Sequence, residues 1–332
     1  MINIPFETPW IGENTWITVP PQGYGGIQWI VSHINDGLLE LGNEIYLLGA
    51  PGSVSHHPSL HALEIGRITE ITEWLLSYQM DVIHDHSNQV PLNTLPESHR
   101  YVSTHHLTGR PLNRVNAIYS SYAQRNAGGS IDAPVVRIPV NSKRYIFCED
   151  KDEYLLMLGR VSRWKGVLEA AQFARASGRR LVVAGPAWER DYFAEIMAQF
   201  GDIIDYRGEV GGEERLMLLA NAKALIVLSQ PVVGPWGDTW CEPGATVVSE
   251  AAASGTPVIS SDNGCLAEIT PHVGCVIPQS ARVTSEQASH IMDSLPAPTA
   301  VRDAALREWN YVKIAQQYED LYGQVINGRT WV

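Results

Sequence analysis

Short apolar runs alternate along the chain with longer stretches in which apolar residues recur every three or four positions. This alternation predicts parallel α/β sheets. In the first half, Gly25 and Gly26 precede Ile27, Ile30, Val31, Ile34, Leu38 and Leu41, which share one helical face. Gly42 then stands where a left-handed cap ends a helix. A buried strand is predicted over 44–48, a helix over 68–79, and strands over 81–84 and 101–104. The run 135–139 reads as the last strand of this half. Only four residues precede Pro5, so the opening strand of this half is either very short or begins before Met1.

The rhythm restarts after the charged segment 147–153, which reads as a linker. Strands are predicted at 154–158, 180–184, 203–206, 223–228 and 257–260. Helices are predicted at 166–177, 189–200, 212–221 and 245–254, and a helical tail runs over 299–327. A chain of 332 residues is comfortable for two domains, each with its own core. The expected division is 1–147, 148–305 and a terminal helix over 306–332.

Charge narrows the partners. A net charge of -12 disfavours nucleic acid, which needs a basic face. Before Arg100 the only Lys or Arg is Arg67, so the first half offers no polybasic patch for a membrane. A soluble acceptor is therefore expected. The cysteines at 148, 241, 265 and 275 form no CxxC pair. The opening residues lack the basic head and apolar stretch of a signal peptide, and no run reaches membrane-helix length. The expected setting is cytoplasmic.

Chemistry concentrates in two segments. In Leu158-Gly159-Arg160, followed by Lys165 and Gly166, an apolar strand ends at a loop that opens a helix between two cations. Side-chain charge there adds to helix N–H groups and macrodipole, which suits a phosphate group, with a solvated basic loop as the competing account. Ligands bind at the carboxyl ends of strands in such sheets. In the second segment, Glu242 precedes a helix on which Glu250 lies eight residues later, about 12 Å along the axis at helical rise. That distance spans a sugar, a diphosphate and a ribose. Glu250 sits among small apolar residues, where a carboxylate needs a partner, and structural hydrogen bonds are the alternative account.

These segments resemble the donor domain of glycosyltransferase family 4. The matching residues are Gly159 and Arg160 with Lys165 and Gly166, then Ala184-Gly185-Pro186, Gly208-Glu209, Glu242 with Glu250, and Asn263 to Glu268. In the first half, Gly25-Gly26, the run from Asp81 to His86, and Thr104-His105-His106 follow in the family's order. The run from Val19 to Trp29 is most similar to members from orthosomycin-antibiotic biosynthesis.

The resemblance implies a GT-B fold: α/β, two Rossmann-like domains facing each other across a cleft, with a C-terminal helix crossing back to the first. It implies a retaining hexosyl transfer from a nucleotide-diphosphate sugar, as co-substrate and without metal or other cofactor, to a small-molecule or oligosaccharide acceptor. Catalytic roles fall on Arg160, Lys165, Glu242 and His106, with His105 as the fallback histidine. Donor binding falls on Gly25, Gly26, Gly159, Gly185, Glu209, Pro243, Gly244 and Glu250. The family has an aromatic and a glycine after the first Glu, where this chain has Pro243 and Gly244.

Trp10, Trp16, His86, Trp236 and Trp240 are candidate acceptor contacts, since indole faces stack on sugar rings. For the tryptophans, ordinary packing is the competing account. Asp150 and Asp152 imitate a metal-binding DxD but fall in the charged segment. His84 and His86 share a strand face, and with His105 or His106 they suggest a rival, a metal-dependent hydrolase. A catalytically inactive nucleotide-sugar binder is the third reading.

Overall fold

A computed structural model describes residues 2–3, 17–64, 68–87, 100–109, 111, 113–234, 237–279 and 281–332. The chain divides into two units, residues 1–141 with 310–332, and residues 142–309.

The first unit contains β1 (Ile2–Asn3), α1 (Gly26–Glu40), β2 (Ile45–Gly49), β3 (Leu60–Glu64), α2 (Ile68–Ser77), β4 (Ile83–Asp85), β5 (Tyr101–Thr104), β6 (Ala117–Ile118) and α3 (Tyr122–Gly128). The strands form one parallel sheet in the order β3-β2-β1-β4-β5-β6. Two residues, Ile2 and Asn3, pair with β2 on one side, and Ile2 also pairs with β4 on the other.

The second unit contains β7 (Tyr154–Leu158), α4 (Val167–Ala176), β8 (Arg180–Ala184), α5 (Arg190–Phe200), β9 (Ile204–Gly208), α6 (Gly212–Asn221) and β10 (Ala224–Val227). It continues through α7 (Thr246–Ala253), β11 (Val258–Ser261), α8 (Leu266–Ile269), β12 (Gly274–Ile277), α9 (Ser285–Asp293) and α10 (Pro298–Glu308). Its sheet is also parallel, in the order β12-β11-β10-β7-β8-β9. Each order reverses direction beside its first strand, at β1/β4 and at β7/β10, the doubly wound arrangement that opens a ligand crevice at the strand ends. Leu155, Leu181, Val183 and Ile226 are fully or almost fully buried, as strands covered on both faces require.

The last helix, α11 (Tyr311–Ile326), belongs to the first unit and packs along α1. A Cβ on Gly37 of α1 would lie 2.4 Å from the carbonyl of Tyr311 and 2.6 Å from Cβ of Ala315, so glycine is what permits this approach.

Four expectations need correction. The run 135–139 is not a strand. Val135 makes only an isolated bridge with Tyr119, and Pro134 and Pro139 remove ladder donors on either side. The last strand is instead β6. The helical tail is two helices broken at Trp309 and Asn310, where the Asn310 side chain accepts from the N–H groups of Val312 and Lys313 to start α11.

The charged segment 147–153 is not the junction between units, which falls at Asn141 and Ser142. Lys151 is anchored inside the second unit, donating to the carbonyls of Ala220 and Ser254 and to Oγ1 of Thr256. The likeness of Asp150 and Asp152 to a DxD motif ends there, since both are exposed around this anchor. Finally, β3, β12, α3 and α9 are elements that the apolar pattern does not single out.

Candidate functional site

The loop after β7 carries Arg160 and Lys165, and the loop after β10 carries Trp240 and Glu242, so the two meet at the β7/β10 reversal. Lys165 Nζ donates to both carboxylate oxygens of Glu242, at 2.8 Å each, and Nε1 of Trp240 donates to Oε2 at 3.0 Å. Glu242 is buried, at 4% exposure. Burial disfavours its charge, but the Lys165 ammonium and the donated hydrogen bonds outweigh burial and hold the carboxyl below the usual range.

The backbone of Glu242 is equally fixed. Its carbonyl accepts from Cys265 N–H at 2.8 Å. Gly264 adopts φ +60 beneath it, and a Cβ there would lie 2.4 Å from the Glu242 oxygen. Glycine at 264 is thus part of the site. Pro243 and Gly244 are half-buried, and Ala245, which caps α7, takes a left-handed φ of 47.

Indoles surround the cations. The Arg160 guanidinium lies 4.3 Å from the Trp188 ring centroid and 5.9 Å from that of Trp164, and Lys165 Nζ lies 4.8 Å from Trp240. Trp164 packs against both other rings, at 6.5 and 6.3 Å. Arg160 is itself 9% exposed, so the cluster is two largely desolvated cations on an aromatic floor. Trp164 and Trp188 are members that sequence reasoning missed. Trp164 lies within the segment between Arg160 and Gly166 and Trp188 lies two residues past Pro186, and that proximity was the available signal.

Gly159, Gly185 and Gly208 stack at the ends of β7, β8 and β9. Gly159 N–H bonds the Ala184 carbonyl and Gly185 N–H bonds the Gly208 carbonyl. Glu209 follows and is exposed.

Glu250 stands apart. It is 2% exposed; Tyr145 O–H donates to Oε1 at 3.0 Å and Arg215 Nη2 donates to Oε2 at 2.5 Å. It makes no hydrogen bond or ion pair with Arg160 or Lys165 among the described residues. The structural account of Glu250, an acid satisfied within the fold, is the one that the geometry displays. Trp240 is likewise corrected: at 4% exposure, with its N–H committed to Glu242, it is no open platform for a sugar. Trp10, Trp16 and Trp236 lie outside the described residues.

In the first unit, Gly25 caps α1 and Gly26 begins it, without a side-chain cap on the helix. At the ends of β4 and β5, four histidines gather. His84 is bonded through Nδ1 to Tyr322 O–H at 2.6 Å and through Nε2 to Thr104 Oγ1 at 2.7 Å. His86 Nδ1 lies 2.9 Å from His106 Nε2, and His105 Nε2 lies 3.2 Å from the Gly109 carbonyl. All four are at most 8% exposed, and burial lowers their pKa values, to about 4 for His105 and about 3 for His106.

Both nitrogens of His84 are engaged by hydroxyls, one nitrogen each of His86 and His106 by the other, and one of His105 by a carbonyl. Among the described residues no group of three or more His, Cys, Asp or Glu is placed to hold a metal ion, so the hydrolase reading loses its chelate. His86, as an acceptor contact, is also corrected: it is 1% exposed and faces His106.

Comparison with known proteins agrees with this geometry. Residues 142–295 match the family of glycosyl transferases group 1. A glycosyltransferase involved in avilamycin A biosynthesis, AviGT4, has a solved structure 51% identical to the chain, covering 100% of this chain and 98% of that one at a TM-score of 0.94. HepE of Anabaena, solved in complex with UDP-glucose, shares the fold at 15% identity, covering 92% and 97% at a TM-score of 0.66. An uncharacterized glycosyltransferase of Methanocaldococcus jannaschii, MJ1607, is 30% identical over 139 residues, which is 40% of this chain and 33% of that protein. The chain thus matches about a third of the length of that curated relative. Among the described residues no helix is long and apolar enough to cross a membrane. With paired doubly wound sheets, a cation cluster at the second reversal and a full-length relative at this identity, the chain belongs to the group 1 glycosyltransferases of GT-B fold.

Proposed function

We propose that the chain transfers a sugar, with retention and without a metal, from a nucleotide-diphosphate sugar to a soluble small-molecule or oligosaccharide acceptor. The observation that carries this reading is the Arg160, Lys165 and Glu242 cluster at the ends of β7 and β10. Two desolvated cations suit a departing diphosphate, whose charge grows as the glycosidic bond breaks. That diphosphate would compete with Glu242 for the Lys165 ammonium, leaving a Glu242 oxygen to accept from sugar hydroxyls. In a front-face route, the anomeric C–O bond to the phosphate breaks as the acceptor oxygen bonds the same face. The acceptor's proton passes to the leaving phosphate oxygen.

Contacts to the donor from the backbone at Gly25 and Gly26, and from His106, are carried over from the family resemblance. Gly159, Gly185, Glu209, Pro243 and Gly244 are proposed to line the donor on the second unit. The likeness to the avilamycin-biosynthesis protein supports an antibiotic precursor or a related oligosaccharide as acceptor, and a cytoplasmic setting fits such substrates.

Glu250 separates two roles. Removing its charge in Glu250→Ala leaves Arg215 buried without its carboxylate, and a loss of about 3 kcal/mol is expected. Chemical denaturation measures this. Unchanged stability with a raised donor KM would instead return Glu250 to the ribose.

The reading is tested by thermal unfolding with nucleoside diphosphates and nucleotide sugars, each with and without chelator. One nucleotide class should raise the midpoint, by about 2.7 kcal/mol of added stability at a hundredfold excess over Kd, and chelator should not alter that shift. No shift with any of them would overturn the proposal. Donor turnover in the same preparation separates an enzyme from an inactive binder.

A further inference from the structure

His86 is nearly sealed, at 1% exposure, and its two ring nitrogens are treated differently. Nδ1 faces Nε2 of His106 at 2.9 Å, whereas Nε2 is buried with no hydrogen-bond partner among the described residues. A hydrogen bond between two neutral imidazoles has one donor and one acceptor, so only two assignments exist. If His106 donated, His86 would carry its own proton on Nε2, a buried N–H with nothing to receive it. If His86 donates from Nδ1, its Nε2 is a bare lone pair, and orphaned acceptors are tolerated better than orphaned donors. His106 then accepts at Nε2 and holds its proton on Nδ1. That nitrogen has no partner among the described residues, and His106, at 8% exposure, is the less buried of the two.

The ring plane of His86 is held as well. His84 lies against it, centroid to centroid 4.0 Å, and is pinned through both nitrogens by Tyr322 of α11 and Thr104 of β5. His86 and His106 are themselves near-parallel, 26° between planes. We infer that His86 is a positioning residue that fixes His106 in its Nδ1–H tautomer, so that His106 presents a neutral N–H donor to a ligand oxygen. The second half of this inference rests on the proposed contact between His106 and the donor sugar. The first half stands on the hydrogen bonds alone.

Nitrogen-15 NMR of the histidine rings in the full chain, together with turnover, tests both halves. In the unsubstituted protein, His106 should show a protonated Nδ1 and a bare Nε2 from about pH 6.5 to 8, where the first unit is fully stable. His86→Asn keeps a side-chain N–H close to the place of Nδ1. It should preserve the tautomer and hold kcat within about threefold. His86→Leu removes the donor; His106 should lose its tautomer preference, and kcat should fall about tenfold or more while donor KM moves less.

A protonated Nε2 on His106 in the unsubstituted protein overturns the inference. So does full turnover in His86→Leu when His106→Ala is inactive. Full turnover in His106→Ala overturns the donor contact beneath it instead. If His86→Leu does not fold, the His86→Asn variant and the unsubstituted spectrum still decide the tautomer.

Discussion

Replacing Lys165 with methionine is expected to lower turnover by about two to three orders of magnitude, the loss typical of removing one preorganised donor from a developing anion. The same change should weaken the fold, because Lys165 is the ion-pair partner of Glu242 at 4% exposure. A buried carboxylate stripped of its cation costs about 3–5 kcal/mol. The two losses are separable. Adding Glu242→Gln to Lys165→Met removes the orphaned charge, so stability should largely return while turnover stays low.

Proton linkage gives the single variant a signature. With Lys165 present, the Glu242 carboxyl is held below its ordinary range, and the pair's stabilisation is lost as pH falls through that depressed value. Without Lys165, burial is the dominant remaining influence and raises the carboxyl. The stability deficit of Lys165→Met should then be greatest near neutral pH and shrink toward pH 4. Arg160→Lys should also be slow, since an ammonium replaces the planar fork stacked 4.3 Å from Trp188. Unchanged transfer in both Lys165→Met and Arg160→Lys would remove the cluster from the mechanism.

The two cations were legible because their signal is local: an apolar strand, a glycine and a helix start lie within one short window around Arg160 and Lys165. Their partners were not, because those come from far along the chain. Lys165 meets Glu242 across 77 positions, and Glu250 meets Arg215 across 35 and Tyr145 across 105. On sequence alone, Arg215 in an amphipathic helix reads as a solvated charge, so nothing marked it as the buried partner of Glu250.

Fold legibility follows the same physics. Central strands such as β7 and β8 are continuous apolar runs, and their bounds emerge directly. The edge strand β3 buries only Leu60 fully, which leaves it little apolar signature. β6 pairs through two residues, too few for a period to show. In the histidine cluster, the shared face of His84 and His86 was readable from strand alternation. The hydroxyls that satisfy His84 come from β5 and from α11, more than 200 positions away in the case of Tyr322. Without them, the pattern resembled a chelate.

Acid should unfold the first unit well before the second. His84, His86, His105 and His106 are buried and kept neutral, with pKa values lowered by desolvation, to about 4 for His105 and about 3 for His106. An unfolded histidine titrates near 6.5, so between pH 6.5 and 4 the unfolded chain binds protons that the folded one refuses. Stability is therefore complete above pH 6.5 and declines as pH falls through this window. A group with a folded value near 4 costs about 2 kcal/mol at pH 5. His105 and His106 together therefore cost on the order of 4 kcal/mol, and the lowered values of His84 and His86 add to this in the same direction, a sum comparable with the whole stability of a domain. The melting midpoint should drop by more than about 10 °C between pH 7.5 and 5. Hydrogen exchange at pH 5 should show amides of β4 and β5 losing protection while β7 and β8, whose core contains no histidine, keep theirs. His106→Asn should reduce the proton uptake on unfolding by about one. A midpoint that stays level from pH 7.5 to 5 would mean that these histidines open to water without unfolding, and the sealed hydrogen-bonded ladder would then not be what holds β4, β5 and α11 together.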